Sequence, residues 1–302
     1  MNIIKIRPQG LCIGVAKAIN IINKTINNPH LPRPIYMLGN VVHNKNIVNA
    51  FIKKGVIVLE GSSRSEMLKQ ATTGTIIFTA HGVSDELRKH AQDKGLHIVD
   101  ATCRDVEKTH QLILNKLKDD YQVYFYGVKN HPETEGILGL SSKIVLITDE
   151  DDPNSIPRTV NPKAVLTTQT TMSYLDAYHL YLKMKTLLPQ LELVEEVCNA
   201  TRTRQTAIME YRDQIDVLLV VGDPSSNNTN KLKEVSEKKA HLPTFFLENV
   251  NDLNEYDFTK FERIGITAGA STPDAIVAEI IEALKNPTPT YQTKLKDDDF
   301  IK

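Results

Sequence analysis

The stretch Asp100-Ala101-Thr102-Cys103 decides how the chain is read, because its setting occurs twice more. Before it, Leu96-His97-Ile98-Val99 is a short apolar run of the kind that forms a buried strand. After it, Asp105 to Lys118 places Val106, Leu112, Ile113 and Leu117 at helical spacing. A thiol therefore sits where a strand hands over to a helix, beside backbone N–H groups that favour its anionic form. Cys12 has the same surroundings, with Ile3-Ile4-Lys5-Ile6 before it and Val15 to Ile22 after it. Cys198 has them again, between Leu191 to Val197 and Thr201 to Tyr211. The sequence holds no other cysteine.

The repetition reaches beyond the thiols. The cysteines recur at intervals of just over ninety residues, and each is followed by a second apolar strand closed by glycine: Ile35 to Gly39, Val123 to Gly127, and Val217 to Gly222. Four positions past each glycine stands a polar side chain, His43, His131 or Ser226. A helix follows, clearest in Lys45 to Lys53 and Lys231 to Lys239. A third short strand comes next (Val56 to Leu59, Ile144 to Ile147, Thr244 to Leu247). A fourth strand then enters a polar turn within Thr75 to Ser84, Ala164 to Ser173 and Arg263 to Pro273. The turn residues are His81, then Thr170 with Thr171, then Ser271 with Thr272, and Pro273 suits a first helical turn.

Strands alternating with helices imply an α/β fold of parallel sheets flanked by helices. Ligands of such sheets bind beyond the carboxyl ends of the strands, where all these residues lie. The expected architecture is three pseudo-threefold-related units, each a small parallel sheet flanked by helices, around one central site. The unit boundaries fall at 1–100, 101–197 and 198–286. Residues 1–10 are a candidate to strap back onto the third unit, and 287–302 read as a C-terminal tail without chemistry.

Composition narrows the classes. Hydrophobic residues are 41% and charged ones 24% of 302, which suits a soluble globular chain with a sizeable core. A net charge of -1 gives no electrostatic case for nucleic acid or an anionic membrane. No apolar run reaches the roughly 18 residues of a spanning helix. Met1 to Gly10 is too short and polar for a secretory h-region, and three distant cysteines make no secreted disulfide framework. The expected location is the cytoplasm.

Three cysteines at equivalent places point to a shared metal site rather than to three buried hydrophobes. Three thiolates can hold zinc with its fourth position open, or three irons of a 4Fe–4S cluster with the fourth iron free. The lack of any Cys-x-x-Cys pair favours the cluster only mildly. His43, His81, His131, Thr170, Thr171, Ser226, Asn228 and Ser271 supply neutral donors near helix starts, a setting for phosphate or diphosphate. Glu133 is either a proton carrier whose pKa is raised by desolvation or a first-turn glutamate complementing the helix dipole. Ser84 and Ser173 read as N-caps. Arg202, Arg204 and Lys231 read as a solvated charged face.

Together these motifs resemble the 4-hydroxy-3-methylbut-2-enyl diphosphate reductase family over nearly the whole chain, about Ile4 to Leu284. They are Gly10-Leu11-Cys12-Ile13-Gly14-Val15, Val42-His43-Asn44, Ala80-His81-Gly82-Val83, Asp100-Ala101-Thr102-Cys103, His131-Pro132-Glu133, Gln169-Thr170-Thr171, Cys198-Asn199-Ala200-Thr201 with Arg204-Gln205, and Thr267-Ala268-Gly269-Ala270-Ser271. The resemblance implies the last enzyme of the methylerythritol phosphate route to isoprenoid precursors. It implies one oxygen-sensitive 4Fe–4S cluster per chain on Cys12, Cys103 and Cys198, with the free iron open to the substrate's allylic hydroxyl. Two electrons and two protons remove that hydroxyl as water, giving isopentenyl and dimethylallyl diphosphates. By matching position, His43, His81, His131, Ser226, Asn227, Asn228 and Ser271 hold the diphosphate. Glu133, His131 and Thr170 are the catalytic residues, Thr170 also touching substrate. With neither a second cysteine set nor a dinucleotide fingerprint, electrons are expected from a ferredoxin- or flavodoxin-type carrier.

The chain also departs from the family pattern. Ser226-Asn227-Asn228 stands for Ser-Ser-Asn, and Asp223-Pro224 for a serine or glycine with a basic residue. Arg104 replaces a proline, and Lys17 an arginine. A cluster-dependent hydro-lyase, removing water without net electron transfer, is the alternative within enzymes. A phosphate-ligand sensor with structural zinc is the alternative outside them.

Overall fold

The computed structural model describes residues 1–301, along which short strands and helices alternate. The first third holds β1 (Asn2–Lys5), α1 (Ile13–Ile26), β2 (Ile35–Leu38), α2 (Lys45–Lys53), β3 (Val56–Leu59), α3 (Arg64–Lys69), β4 (Thr75–Phe78), α4 (Asp85–Asp93) and β5 (His97–Asp100). The middle third holds α5 (Arg104–Lys118), β6 (Gln122–Tyr126), α6 (Pro132–Leu138), β7 (Val145–Ile147), β8 (Ala164–Thr168), α7 (Tyr174–Leu187) and β9 (Leu191–Leu193). The last holds α8 (Asn199–Tyr211), β10 (Val217–Val221), α9 (Asn227–Glu234), β11 (Thr244–Leu247), β12 (Arg263–Ala268) and α10 (Asp274–Lys285).

The strands make three parallel four-stranded sheets, ordered β3-β2-β4-β5, β7-β6-β8-β9 and β11-β10-β12-β1. One order serves all three. The glycine-ended strand and the strand that enters the polar turn lie side by side in the centre. The strand leading to a cysteine lies at one edge. In the third sheet that edge is the N-terminal β1, paired with β12 from Asn2↔Arg263 to Lys5↔Ile266. Every residue of β8 and β10 is buried, so these strands carry Val, Leu, Ala and Thr without polar alternation, as sheets covered on both faces require.

The chain divides into two compact units. One is Met1–Asn23, Val42–Gly55 and Asn199–Lys302, holding the sheet of β1; the other is Lys24–Val41 and Val56–Cys198, holding the other two sheets. The core of the first gathers Ile6, Ile208, Ile215, Leu218, Val220 and Leu232. In the second, one cluster lies around Phe78, Leu68 and Leu38, and two flank β6 through Tyr124 on one side and Phe125 on the other. Among the described residues no helix is long and apolar enough to cross a membrane.

Some elements differ from the sequence pattern. The ladder of β9 stops at Leu193, and residues 194–197 run on as extended chain tied to β8 through Val194 N–H to the Leu166 carbonyl and Glu196 N–H to Thr168 Oγ1. The third-sheet helix starts at Asn227 rather than Lys231, because Ser226 caps it by accepting from Thr229 N–H, and it ends in a π-helical turn, Val235–Lys239. Pro273 is the N-cap of α10, one residue ahead of the first turn. The segment after Asn286 docks by its end: Phe300 and Ile301 are buried, Ile301 accepts from Asn23, and Asp297 and Asp298 pair with Lys53 at the end of α2 and Lys54 just beyond it. Ser84 and Ser173 do cap their helices.

Candidate active site

The cysteines occupy one repeated position. Past the end of each edge strand, the cysteine N–H donates to a carbonyl in the polar turn beside it: Cys12 to Ala270 (2.9 Å), Cys103 to Ala80 (3.0 Å) and Cys198 to Thr170 (3.0 Å). Each thiol is thus delivered to the carboxyl end of its sheet and to the first turn of a helix, α1, α5 or α8. All three are free of disulfides and partly exposed, and Cys12 Sγ accepts from Val15 N–H (3.4 Å). Helix N-termini favour thiolates, and three thiolates are the donor set of a soft metal or iron–sulfur centre. Each cysteine offers the donor type that such a group takes. Arg104, where the family pattern has proline, is the first residue of α5, a position that tolerates proline but does not need it.

Glu133 and Thr170 form the tightest pair of candidate residues. Glu133, in the first turn of α6, is 1% exposed and accepts from Thr170 twice: from its N–H at Oε1 and its hydroxyl at Oε2, each at 2.8 Å. Burial pushes the carboxyl up to about 7, against these two bonds that favour the anion. A carboxyl near neutrality holds or releases a proton at physiological pH. The Thr170 carbonyl takes the Cys198 N–H, so one residue anchors both the acid and a cysteine.

His131 caps α6, its Nδ1 accepting from Glu133 N–H (3.1 Å); an amide can only donate, so the neutral ring carries its hydrogen on Nε2. His81 lies edge-on to it, ring centroids 5.4 Å apart. Its turn is held from behind by Arg64, whose guanidinium donates to the Gly82 carbonyl and to Thr79 Oγ1. Gly82 has φ +73°, and a Cβ there would meet Val106 Cγ1 at 3.0 Å.

In the other compact unit, Ser271 Oγ donates to the His43 carbonyl (3.0 Å) and lies 3.3 Å from Ser226 Oγ, whose hydroxyl can donate to it, joining three candidate residues. Asn228 is turned into the scaffold: its Oδ1 accepts from Ala270 N–H and its Nδ2 donates to Thr201 Oγ1. Asn227, the first residue of α9, is half-buried. Asp223, one of the departures from the family pattern, is built into this network. Its two oxygens accept from Lys45 N–H, at the start of α2 beyond His43 and Asn44, and from Ser225 N–H and Oγ. Those bonds hold its carboxyl below the usual range although burial pushes the other way.

The charged face expected at Arg202, Arg204 and Lys231 is corrected at two of its members. Arg204 is 3% exposed and donates to the carbonyls of Gly10 and Ala200, bracing the turn that leads to Cys12. Lys231 is equally buried and pairs with Glu234. Both tuck inward because α8 and α9 pack on each other, which helical spacing alone does not reveal. Arg64 and Thr79 escaped the sequence reading, and Asp223 entered it only as a departure from the family pattern.

The comparisons with known proteins follow the same lines. The family model described as LytB protein matches residues 3–285. A Macrococcus caseolyticus protein named 4-hydroxy-3-methylbut-2-enyl diphosphate reductase is 44% identical over 299 residues, covering 98% of this chain and 93% of its own. A Halalkalibacterium halodurans protein of the same name is 43% identical, covering 96% and 92%. Among solved structures, the E-1-hydroxy-2-methyl-but-2-enyl-4-diphosphate reductase of Plasmodium falciparum superposes with a TM-score of 0.86 at 29% identity, over 99% of this chain and 96% of that one. With a family model spanning nearly the whole sequence and relatives 43–44% identical over more than nine-tenths of their own length, the chain belongs to the LytB protein family.

Proposed function

We propose that the chain is a reductase of 4-hydroxy-3-methylbut-2-enyl diphosphate, forming isopentenyl and dimethylallyl diphosphates by reductive removal of the allylic hydroxyl. The observation that carries this reading is the Glu133–Thr170–Cys198 linkage. A proton donor poised near neutrality hangs on the same residue that positions a thiol of the metal site.

Cys12, Cys103 and Cys198 would hold one 4Fe–4S cluster, the cofactor associated with this family. When bound, such a cluster supplies low-potential electrons and a Lewis-acidic iron open to an alcohol oxygen. The chain's own residues do the rest. Glu133 holds the proton that leaves with the hydroxyl as water, and Thr170 keeps the carboxyl oriented through its amide and hydroxyl. His131 offers Nε2–H, a donor for an anionic oxygen or a second proton path. His43, His81, Ser226, Asn227 and Ser271 are the diphosphate contacts, and Asn228 sets the Ser271 turn by holding Ala270 N–H. Asn227 keeps an amide donor where the family pattern has a hydroxyl. A ferredoxin- or flavodoxin-type carrier would deliver electrons.

The deciding experiment is anaerobic turnover of the diphosphate substrate with and without a chemical reductant, alongside an iron and sulfide count. Product that forms only with reductant, on protein holding about four irons per chain, is the expected result. Equal product without reductant would establish the hydro-lyase instead, and stoichiometric zinc with no visible absorption would reject the cluster.

A further inference from the structure

Two histidine rings meet in a T at the carboxyl ends of their sheets, and the structure fixes the hydrogen of one through the backbone. The other is governed by side chains that have no place in the chemistry so far. Thr79 is fully buried, and its hydroxyl oxygen has Arg64 Nη2 at 3.3 Å and His81 Nδ1 at 3.4 Å. A guanidinium has hydrogens but no lone pair to offer, so toward Arg64 the oxygen is an acceptor. The single hydroxyl hydrogen must then find another acceptor, since a buried donor is seldom left unpaired. Among the described residues, His81 Nδ1 is the acceptor within its reach.

We infer that Arg64 and Thr79 are positioning residues that hold His81 in its Nε2–H tautomer, so that the ring meets an anionic oxygen as a donor. This rests on reading His81 as a diphosphate contact. The reverse tautomer would turn a lone pair toward the phosphate oxygen and repel it. Arg64 adds a second restraint by donating to the Gly82 carbonyl, which fixes the turn on the far side of the ring. Its backbone N–H donates to Glu135 Oε1 (2.8 Å), two residues beyond Glu133, so the same residue also ties the His81 turn to the helix of the proton donor. His81 and His131 thus present one tautomer by two devices, a side-chain relay and a backbone amide.

The test is nitrogen-15 NMR of histidine-labelled, cluster-loaded protein, the His81 signals assigned by their loss in His81→Gln. Unprotonated Nδ1 with protonated Nε2 is the expected pattern. Thr79→Val keeps the shape of the side chain and removes the relay. It should lose that pattern and raise KM for the diphosphate substrate on the order of tenfold, the worth of one donor, with kcat little changed. Thr79→Ser should restore both. Arg64→Met should move both quantities in the same direction, but Thr79→Val decides the matter if that variant folds poorly. A hydrogen on His81 Nδ1 in the unmodified protein overturns the inference, as does a Thr79→Val protein with unchanged tautomer and KM. An unchanged KM in His81→Gln would instead remove His81 from the diphosphate site, while the NMR pattern would still decide the relay.

Discussion

Glu133, the proposed proton donor, is poised between two opposing effects. Burial disfavours its anion and two bonds from Thr170 favour it, leaving the carboxyl near 7 rather than 4.5. Two consequences follow from the sign. As an acid, Glu133 acts in its protonated form, so kcat should fall as pH rises through about 7. As a linked group, its folded pKa lies above the unfolded one. Its contribution to stability is complete below about 4.5 and is lost as pH rises from there through about 7, on the order of 3 kcal/mol in all. Glu133→Gln should bind substrate and cluster, lose roughly 10²–10⁴ in turnover, and flatten the stability slope over that range. Steady-state kinetics and denaturant titrations at several pH values check both; full activity in the variant would remove Glu133 from the proton path. The candidacy of Glu133 was legible from His131-Pro132-Glu133, but its pairing was not. Thr170 lies 37 residues away, and no local pattern joins them.

At the scale of elements, buried polar side chains brace the turns that carry the site. Arg204 of α8 reaches back 194 residues to the Gly10 carbonyl, just ahead of Cys12. Arg204→Met should strand that buried carbonyl, costing about 1–3 kcal/mol in chemical denaturation and lowering iron content while Cys12 remains in place. The chain's end supports α2, whose first turn follows His43 and accepts the Asp223 clamp. Removing residues 297–302 exposes the site covered by Phe300 and Ile301, an expected loss of about 2–4 kcal/mol, with faster amide exchange across Lys45–Lys53. Unchanged exchange there would show that the segment is dispensable to α2. Strand and helix spans were readable because apolar periodicity is a local property. The docking of the last residues was not, because their sequence is a charged run whose partners, Lys53 and Lys54, lie some 240 positions earlier.

Across the whole molecule, one strand order appears three times, and each copy delivers a cysteine by the same amide-to-turn bond. That equivalence predicts equivalent behaviour. If the three cysteines hold the proposed cluster, Cys12→Ser, Cys103→Ser and Cys198→Ser should each lose or badly degrade it, judged by iron count and visible absorption, while circular dichroism of the three proteins stays alike. A variant that keeps an intact cluster would exclude its cysteine from the ligand set. The apolar clusters around Tyr124, Phe78, Ile6 and Phe125 contain no cysteine, which is why the fold should outlast loss of the proposed metal site.

By itself the sequence determined the repeat, the alternation of strand and helix, the three cysteines and most of the polar turns around them. Each of these is written in neighbouring residues, where periodicity and turn chemistry act. Only the tertiary structure decided that Glu133 is sealed against Thr170, that Arg204 and Lys231 point inward, and that Asp223 clamps the start of α2. It alone decided the hydrogen-bond relay from Arg64 to His81. The physical reason is that a polar side chain's role depends on which distant donor or acceptor replaces its lost water, and chain folding makes that choice.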